Sequence, residues 1–353
     1  MHSALFTVLF LLQVLWMASP AEAGYTLIQQ PAANDPMQVH IYELDNGLQV
    51  YLTANREEPR FYAEIIVRAG SKHDPKDATG IAHYLEHMLF KGSRQLGTLD
   101  FEAEKEHLDR IEALYEEHFS ETDPERRIAL YAQINEANQR AAQYAIPNEL
   151  DRLYTAMGER ALNAHTWLEE TVYKVDLPSN RLAHWAKVEA ERFHQPVFRL
   201  FQTELETVYE EKNRSMDNKD RVIRKAVQQQ LYKKHPYGNT TLGSVEHLKN
   251  PSLARMYEYY HTYYVPNNMA IAISGDIDIE ATIALIDQEF SLWQKKKLPK
   301  SDKWKEPKIK KVERVEVTFP GEEYVLLAFR TAARTHKDAE ALSVLLELRR
   351  RLG

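Results

Sequence analysis

Cysteine is absent from all 353 residues. That excludes disulfides, thiolate metal sites, cysteine nucleophiles and lipidation at cysteine. In an exported protein it is compatible with a bacterial periplasm. Basic charge is also short: 45 Lys and Arg stand against 52 Asp and Glu, the net charge is -7, and no aromatic-basic stripe occurs. Nucleic acid is therefore not an expected partner. Long hydrophobic runs are missing as well. Ala4 to Met17 is apolar but shorter than the roughly 20 residues that span a bilayer. Ala21-Glu22-Ala23 follows with the small-x-small pattern of a cleavage site. Residues 1–23 read as a secretory signal peptide, predicting an exported protein, periplasmic or secreted, with no stable membrane span once the signal is removed. An uncleaved anchor is the competing reading, since only His2 and the amino terminus supply the positive end.

What is present suffices for two domains, because 44% of the residues are hydrophobic and the length allows each domain its own core. From Val39, VHIYELDNGLQVYLTAN alternates on both sides of Asp45-Asn46-Gly47, a hairpin signal. FYAEIIVRAGS predicts a third strand. The period then switches to three and four with Ala82, Leu85, Met88 and Leu89, placing a helix after a strand and a loop. Glycine is absent between Asp100 and Tyr144, where apolar spacing predicts a helical hairpin, broken at SETDPERR by a capping box of Thr122 and Glu125 with Pro124 in the first turn. LNAHTWLEETVYKVDLP reads as strand, turn and strand, with helix from about Ser179, and NMAIAISGDID as an apolar strand before another helix. Lysine-rich residues 295–311 read as a solvated linker. Beyond them, VERVEVTFPGEEYVLLAFRT predicts two strands and HKDAEALSVLLELRRRLG a helix.

The helix after the third strand contains HYLEH, residues 83 to 87. Positions i and i+4 project from one face, so His83 and His87 can grip one ion. A hydrolytic zinc needs three protein ligands and an acidified water. Glu86 projects from the same side and can take a proton from that water. A surface helix that happens to hold two histidines has the same spacing, but imidazoles and a carboxylate on a mainly apolar helix are costly to bury without a partner.

GIAHYLEHMLFKGS resembles the signature of the pitrilysin or insulinase-like zinc peptidases, with their inverted H-x-x-E-H motif. The resemblance continues through Asn163-Ala164-His165-Thr166 with Thr171-Val172-Tyr173, PVFRLFQTELETVYEEKNRSMDN, HPYGNTTLGSVEHL and YYVPNNMAIAISGDID. It implies an α+β sheet-and-helix domain over residues 39–294, then residues 312–353 as the incomplete start of a second related domain. It also implies one Zn2+ held by His83, His87 and a glutamate of ELETVYEE, with Glu86 as general base. Alignment through PVF implies Glu211 as that ligand, seven residues after an auxiliary Glu204. Seven residues are close to two turns, so the pair shares a helix face; Glu204 would orient a ligand or the water without touching the metal. Asn163, Ala164 and Thr166 fall where the family adds the substrate backbone as an extra strand. Without the resemblance, Asn163-Ala164 reads as an ordinary turn entering a strand.

Two departures stand out. His87 and Glu211 are farther apart than is usual in the family, and a helical insertion at about 100–147 accounts for the excess. Family members also use a second homologous half or partner subunit to enclose substrate, and this sequence holds only the expected start of one. His165 and His235 read as hydrogen-bonded histidines near turns, and Tyr263-Tyr264 as packing aromatics. The expected function is zinc endopeptidase action on exported peptides or unfolded segments, with Glu86 activating the water. The rivals are a non-catalytic structural or partner subunit of the same fold and a metal-binding module without turnover.

Overall fold

A computed structural model of the chain describes residues 24–352. The signal peptide expected at 1–23 lies outside the described residues. The strands are β1 (Tyr25–Gln29), β2 (His40–Leu44), β3 (Gln49–Ala54), β4 (Arg60–Val67), β5 (Arg160–Thr166), β6 (Thr171–Pro178) and β7 (Met269–Gly275). The helices are α1 (Ile81–Met88), α2 (Phe101–Ser120), α3 (Pro124–Ala141), α4 (Glu149–Met157), α5 (Leu182–His194), α6 (Phe201–Met216), α7 (Lys219–Leu231), α8 (Val245–Leu248), α9 (Leu253–Tyr263), α10 (Ile279–Phe290) and α11 (Ala339–Leu352). They fall into two compact units. One runs to Tyr209 and resumes over Thr241–Ser301; the other comprises Glu210–Thr240 and the chain from Asp302 onward. The boundary cuts across α6, which is one unbroken helix.

The first unit is built on a seven-stranded sheet in the order β1-β2-β3-β7-β4-β6-β5. β3 and β7 are parallel, and every other pair is antiparallel. Alternation decides the faces. Phe61, Ala63, Ile65 and Val67 of β4 are buried, and they register with Leu177, Val175, Tyr173 and Thr171 of β6 on one side and with Ile273, Ile271 and Met269 of β7 on the other. Tyr62 on the opposite face remains exposed. This is a one-faced sheet, whose apolar side must be covered by helices. Each fully buried Ile or Leu contributes about 1.5–3 kcal/mol relative to exposure. Helix α1 lies against β5 and β6, at the sheet edge.

The glycine-free stretch forms the expected helical hairpin, α2 and α3. Its break lies one residue later than the expected capping box. Asp123 is the cap, its side chain accepting from the Arg126 N–H, with Pro124 opening the helix. A carboxylate directly before the proline reaches the N–H of the third helical residue, whereas Thr122 stands one residue too early.

In the second unit the two strands expected after the linker do not form: residues 312–331 contain no strand. Alternation supplies a face but not a partner for the backbone groups, and a lone hairpin is marginal in water. Val325 and Phe329 are accordingly exposed. Just before this segment, residues 304 and 306 are tied to the end of α7 and the turn after it. The Glu306 carboxylate accepts from the backbone N–H groups of Lys233, Lys234 and His235, and Trp304 packs edge-on to the His235 ring at 4.6 Å. Among the described residues no helix is long and apolar enough to cross a membrane.

Candidate active site

Helix α1 begins at Gly80, whose φ of 94° is a left-handed value suited to glycine. Gly80 has no side chain to cap the helix, so Asp74 does it from outside: Oδ2 accepts from the Gly80 N–H at 2.7 Å and Oδ1 from the Ala82 N–H at 3.0 Å. Burial pushes the Asp74 carboxyl up to about 8, against the opposing pull of those two N–H groups. Because this lies above the ordinary 3.8, the folded chain retains a proton that the unfolded chain releases. The stability Asp74 contributes is thus complete below about pH 4 and is lost as pH rises toward about 8. Asp74→Asn cannot ionise, and it is expected to flatten this part of the decline. Urea unfolding of both proteins from about pH 5 to 8 measures it; an equally steep decline in the variant would count against the assignment.

The sequence of α1 places its chemical groups on a buried helix. Ile81, Ala82, Tyr84, Leu85 and Met88 pack in the core, while His83 and Glu86 are each 7% exposed. The rings of His83 and His87, one turn apart, stand 4.7 Å between centroids at 70°. Thr166 Oγ1, at the end of β5, donates to Glu86 Oε2 at 2.6 Å. Among the described residues β5 is paired only with β6, so its other edge presents open backbone groups. Asn163 is exposed and Ala164 half-buried on that strand, and Asn163 Oδ1 accepts from the Ala164 N–H at 2.9 Å.

Helix α6 carries the acidic run, and its four glutamates differ in setting. Glu206 and Glu210 are exposed, Glu211 is half-buried and Glu204 is buried. Glu204 Oε1 lies 2.7 Å from His87 Nδ1, and Oε2 pairs with the Lys91 ammonium. Burial, the largest influence, raises the Glu204 carboxyl, but the bonds from His87 and Lys91 together hold it below the ordinary carboxylate value. An ionised carboxylate only accepts, so Nδ1 of His87 carries the hydrogen, which in a neutral ring turns the Nε2 lone pair toward a cation. Two turns further along α6, one ligand atom each of Glu211, His83 and His87 lie within 4.8 Å of one another. Two imidazoles and a carboxylate are a hydrolytic zinc donor set. These are the three residues that would hold such an ion.

His165 and His235 are not in this group. His165 is exposed, 3.9 Å from Glu170, and the His235 side chain accepts from the Tyr237 N–H. Tyr264 packs as expected, buried, its hydroxyl 3.0 Å from that of Tyr173. Lys91 and Asp74 are functional neighbours that sequence reasoning does not single out. Lys91 has a readable signal: it stands four residues after His87, within LFKGS.

Comparison with known proteins gives the family and the fold. The family described as Insulinase (Peptidase family M16) matches residues 49–110 and 137–245, and the Peptidase M16 inactive domain matches 252–351. The chain belongs to the M16, or insulinase, family. The unmatched residues 111–136 fall in the α2–α3 hairpin. Similar proteins include a probable zinc protease PqqL of Haemophilus influenzae, 28% identical over 277 residues, which are 76% of this chain and 25% of that protein. Protease 3 of Escherichia coli is 32% identical over 166 residues, 46% of this chain and 16% of that protein. Among solved structures, pitrilysin aligns with a TM-score of 0.59 at 19% identity, covering 80% of this chain and 26% of that one. A protease from Helicobacter pylori aligns at 0.58 and 20%, covering 74% and 52%. The chain thus spans about a quarter or less of the curated relatives just named, and the structural likenesses establish the shared α+β fold.

Proposed function

We propose that this chain carries the zinc-binding and proton-transferring part of a metalloendopeptidase acting on peptides or unfolded segments. The observation that carries the reading is the approach of His83, His87 and Glu211 to one another beside Glu86 on the same helix. Zinc held by those three residues supplies Lewis acidity, polarising a scissile carbonyl and making water acidic near neutral pH. Glu86, aimed by the Thr166 hydroxyl, takes the proton of the attacking water and passes it to the departing amine. Glu204 keeps the His87 ring turned by holding its Nδ1–H. The open edge of β5, with Asn163 and Ala164, pairs with an extended substrate as an added strand, which selects for backbone more than for side chain.

The proposal includes the division suggested by the family resemblance: a catalytic domain over 39–294, a linker at 295–311 and the start of a related domain from 312. A second homologous half or partner subunit would enclose the substrate, contributing the positioning that makes attack effectively unimolecular. The apolar run at Ala4 to Met17 supports export, and one solved relative, PqqL of Escherichia coli, is described as periplasmic. The match to an inactive domain is confined to residues 252–351, apart from His83, Glu86, His87 and Glu211, so it does not favour a non-catalytic subunit. Metal analysis of the purified chain is expected to give one zinc per chain. A chain that takes up no zinc under saturating conditions would remove the basis of the reading.

A further inference from the structure

Between α1 and α2 the chain is pinned with unusual completeness around one lysine. Lys91 ends the 3-10 turn Leu89–Lys91 that closes α1. Its backbone carbonyl accepts from Arg199 Nη1 at 2.7 Å, and the same guanidinium donates to the carbonyls of Leu96 at 2.8 Å and Ser93 at 2.7 Å. Arg199 is balanced by Glu104 of α2, 3.0 Å away and fully buried. The loop is also closely packed: at Gly92, with φ of 97°, an added Cβ would lie 2.2 Å from the Leu96 carbonyl oxygen. The Lys91 backbone is therefore held in place, and its side chain leaves from a fixed point. It ends on Glu204 Oε2, while Oε1 of the same carboxylate takes the His87 ring. Lys91, His87 and Glu204 side chains are 19%, 22% and 10% exposed, so little water competes for either oxygen.

We propose that Lys91 is a positioning residue of the metal centre: it holds one oxygen of Glu204 so that the other stays on Nδ1 of His87, leaving Nε2 of His87 to the cation. A carboxylate with a single partner can turn about its last bond; with a partner on each oxygen it cannot. Glu104 of α2 anchors the arrangement through Arg199, so the start of the inserted hairpin region has a part in setting the metal helix. The inference rests on the reading of His87 as a metal ligand.

The test uses zinc alone, competed against a chelator, and needs no peptide turnover. Lys91→Met is expected to weaken zinc binding by about 10–100-fold, the range for an outer partner of a metal ligand, and Lys91→Arg to recover most of it. Nitrogen NMR of the metal-free chain, labelled at histidine, is expected to show His87 protonated at Nδ1 in the wild type and a mixture of tautomers in Lys91→Met. If Lys91→Met does not fold, Lys91→Gln carries the same two measurements. Wild-type zinc affinity with an unchanged His87 tautomer would overturn the proposal. His87→Ala separates the two levels: if it still binds zinc normally, the reading of the site fails and the inference with it; if it loses zinc while Lys91→Met does not, only the inference fails.

Discussion

Glu86→Gln is expected to lower peptide hydrolysis by about 10²–10⁴-fold, the usual contribution of a positioned general base, while zinc content stays at the wild-type value. Glutamine keeps the shape of the side chain and can still accept from the Thr166 hydroxyl that now donates to Glu86 at 2.6 Å. It cannot take up a proton. Fold and metal site should therefore survive while turnover is lost. The measurement is kcat on a mixed fluorogenic peptide set, made with the enzyme complete with whatever half encloses the substrate, alongside metal analysis of the same preparations. Near-normal rates in the variant would show that Glu86 is not the base. Loss of zinc together with activity would instead place Glu86 in the support of the metal.

The second large effect is expected at Glu211. Glu211→Gln removes the only anionic donor of the three and is expected to weaken zinc by more than the 10–100-fold typical of an outer partner. Two neighbours serve as internal controls. Glu204→Gln loses a charged acceptor on His87, so its zinc affinity falls within that smaller range, and with zinc in excess the metal is retained and the rate reduced. Glu210→Gln, at an exposed position, should change little. Zinc loss confined to position 210 would shift the helix register by one residue, about 100° around the axis, and refute the assignment of Glu211. The series separates a ligand from its support because the two carboxylates share one face of α6, two turns apart, and differ in what they touch.

The residues of the site differ in how legible they are in the sequence. His83, Glu86 and His87 are legible because all three lie within one turn of helix, where spacing alone sets direction. Strand β5 is read from LNAHTWLEETVYKVDLP, and its place at an edge comes from the match of Asn163-Ala164-His165-Thr166 to a family pattern. The helical hairpin is legible because a glycine-free stretch with apolar residues at three and four has few alternatives. The two strands expected in 312–331 are not borne out, since alternation describes a strand only where a neighbour completes its hydrogen bonds.

By itself, then, the sequence determined local facts: that the motif segment and the glycine-free stretch are helical, which residues share a helix face, that no thiolate can bind a metal, and that an H-x-x-E-H pair waits for a third ligand. These are short-range consequences of a 3.6-residue turn and of side-chain chemistry. Only the tertiary structure brings Glu211 and Glu204, which the family resemblance implies, up to the histidines, aims Glu86 with the Thr166 hydroxyl, and sets Lys91 and Arg199 to hold the arrangement. Those partners lie from about 80 to 120 positions away from the motif helix or from the turn that ends it. Their meeting depends on how a one-faced sheet buries its apolar side under helices, a property of the whole packed unit that no local spacing carries.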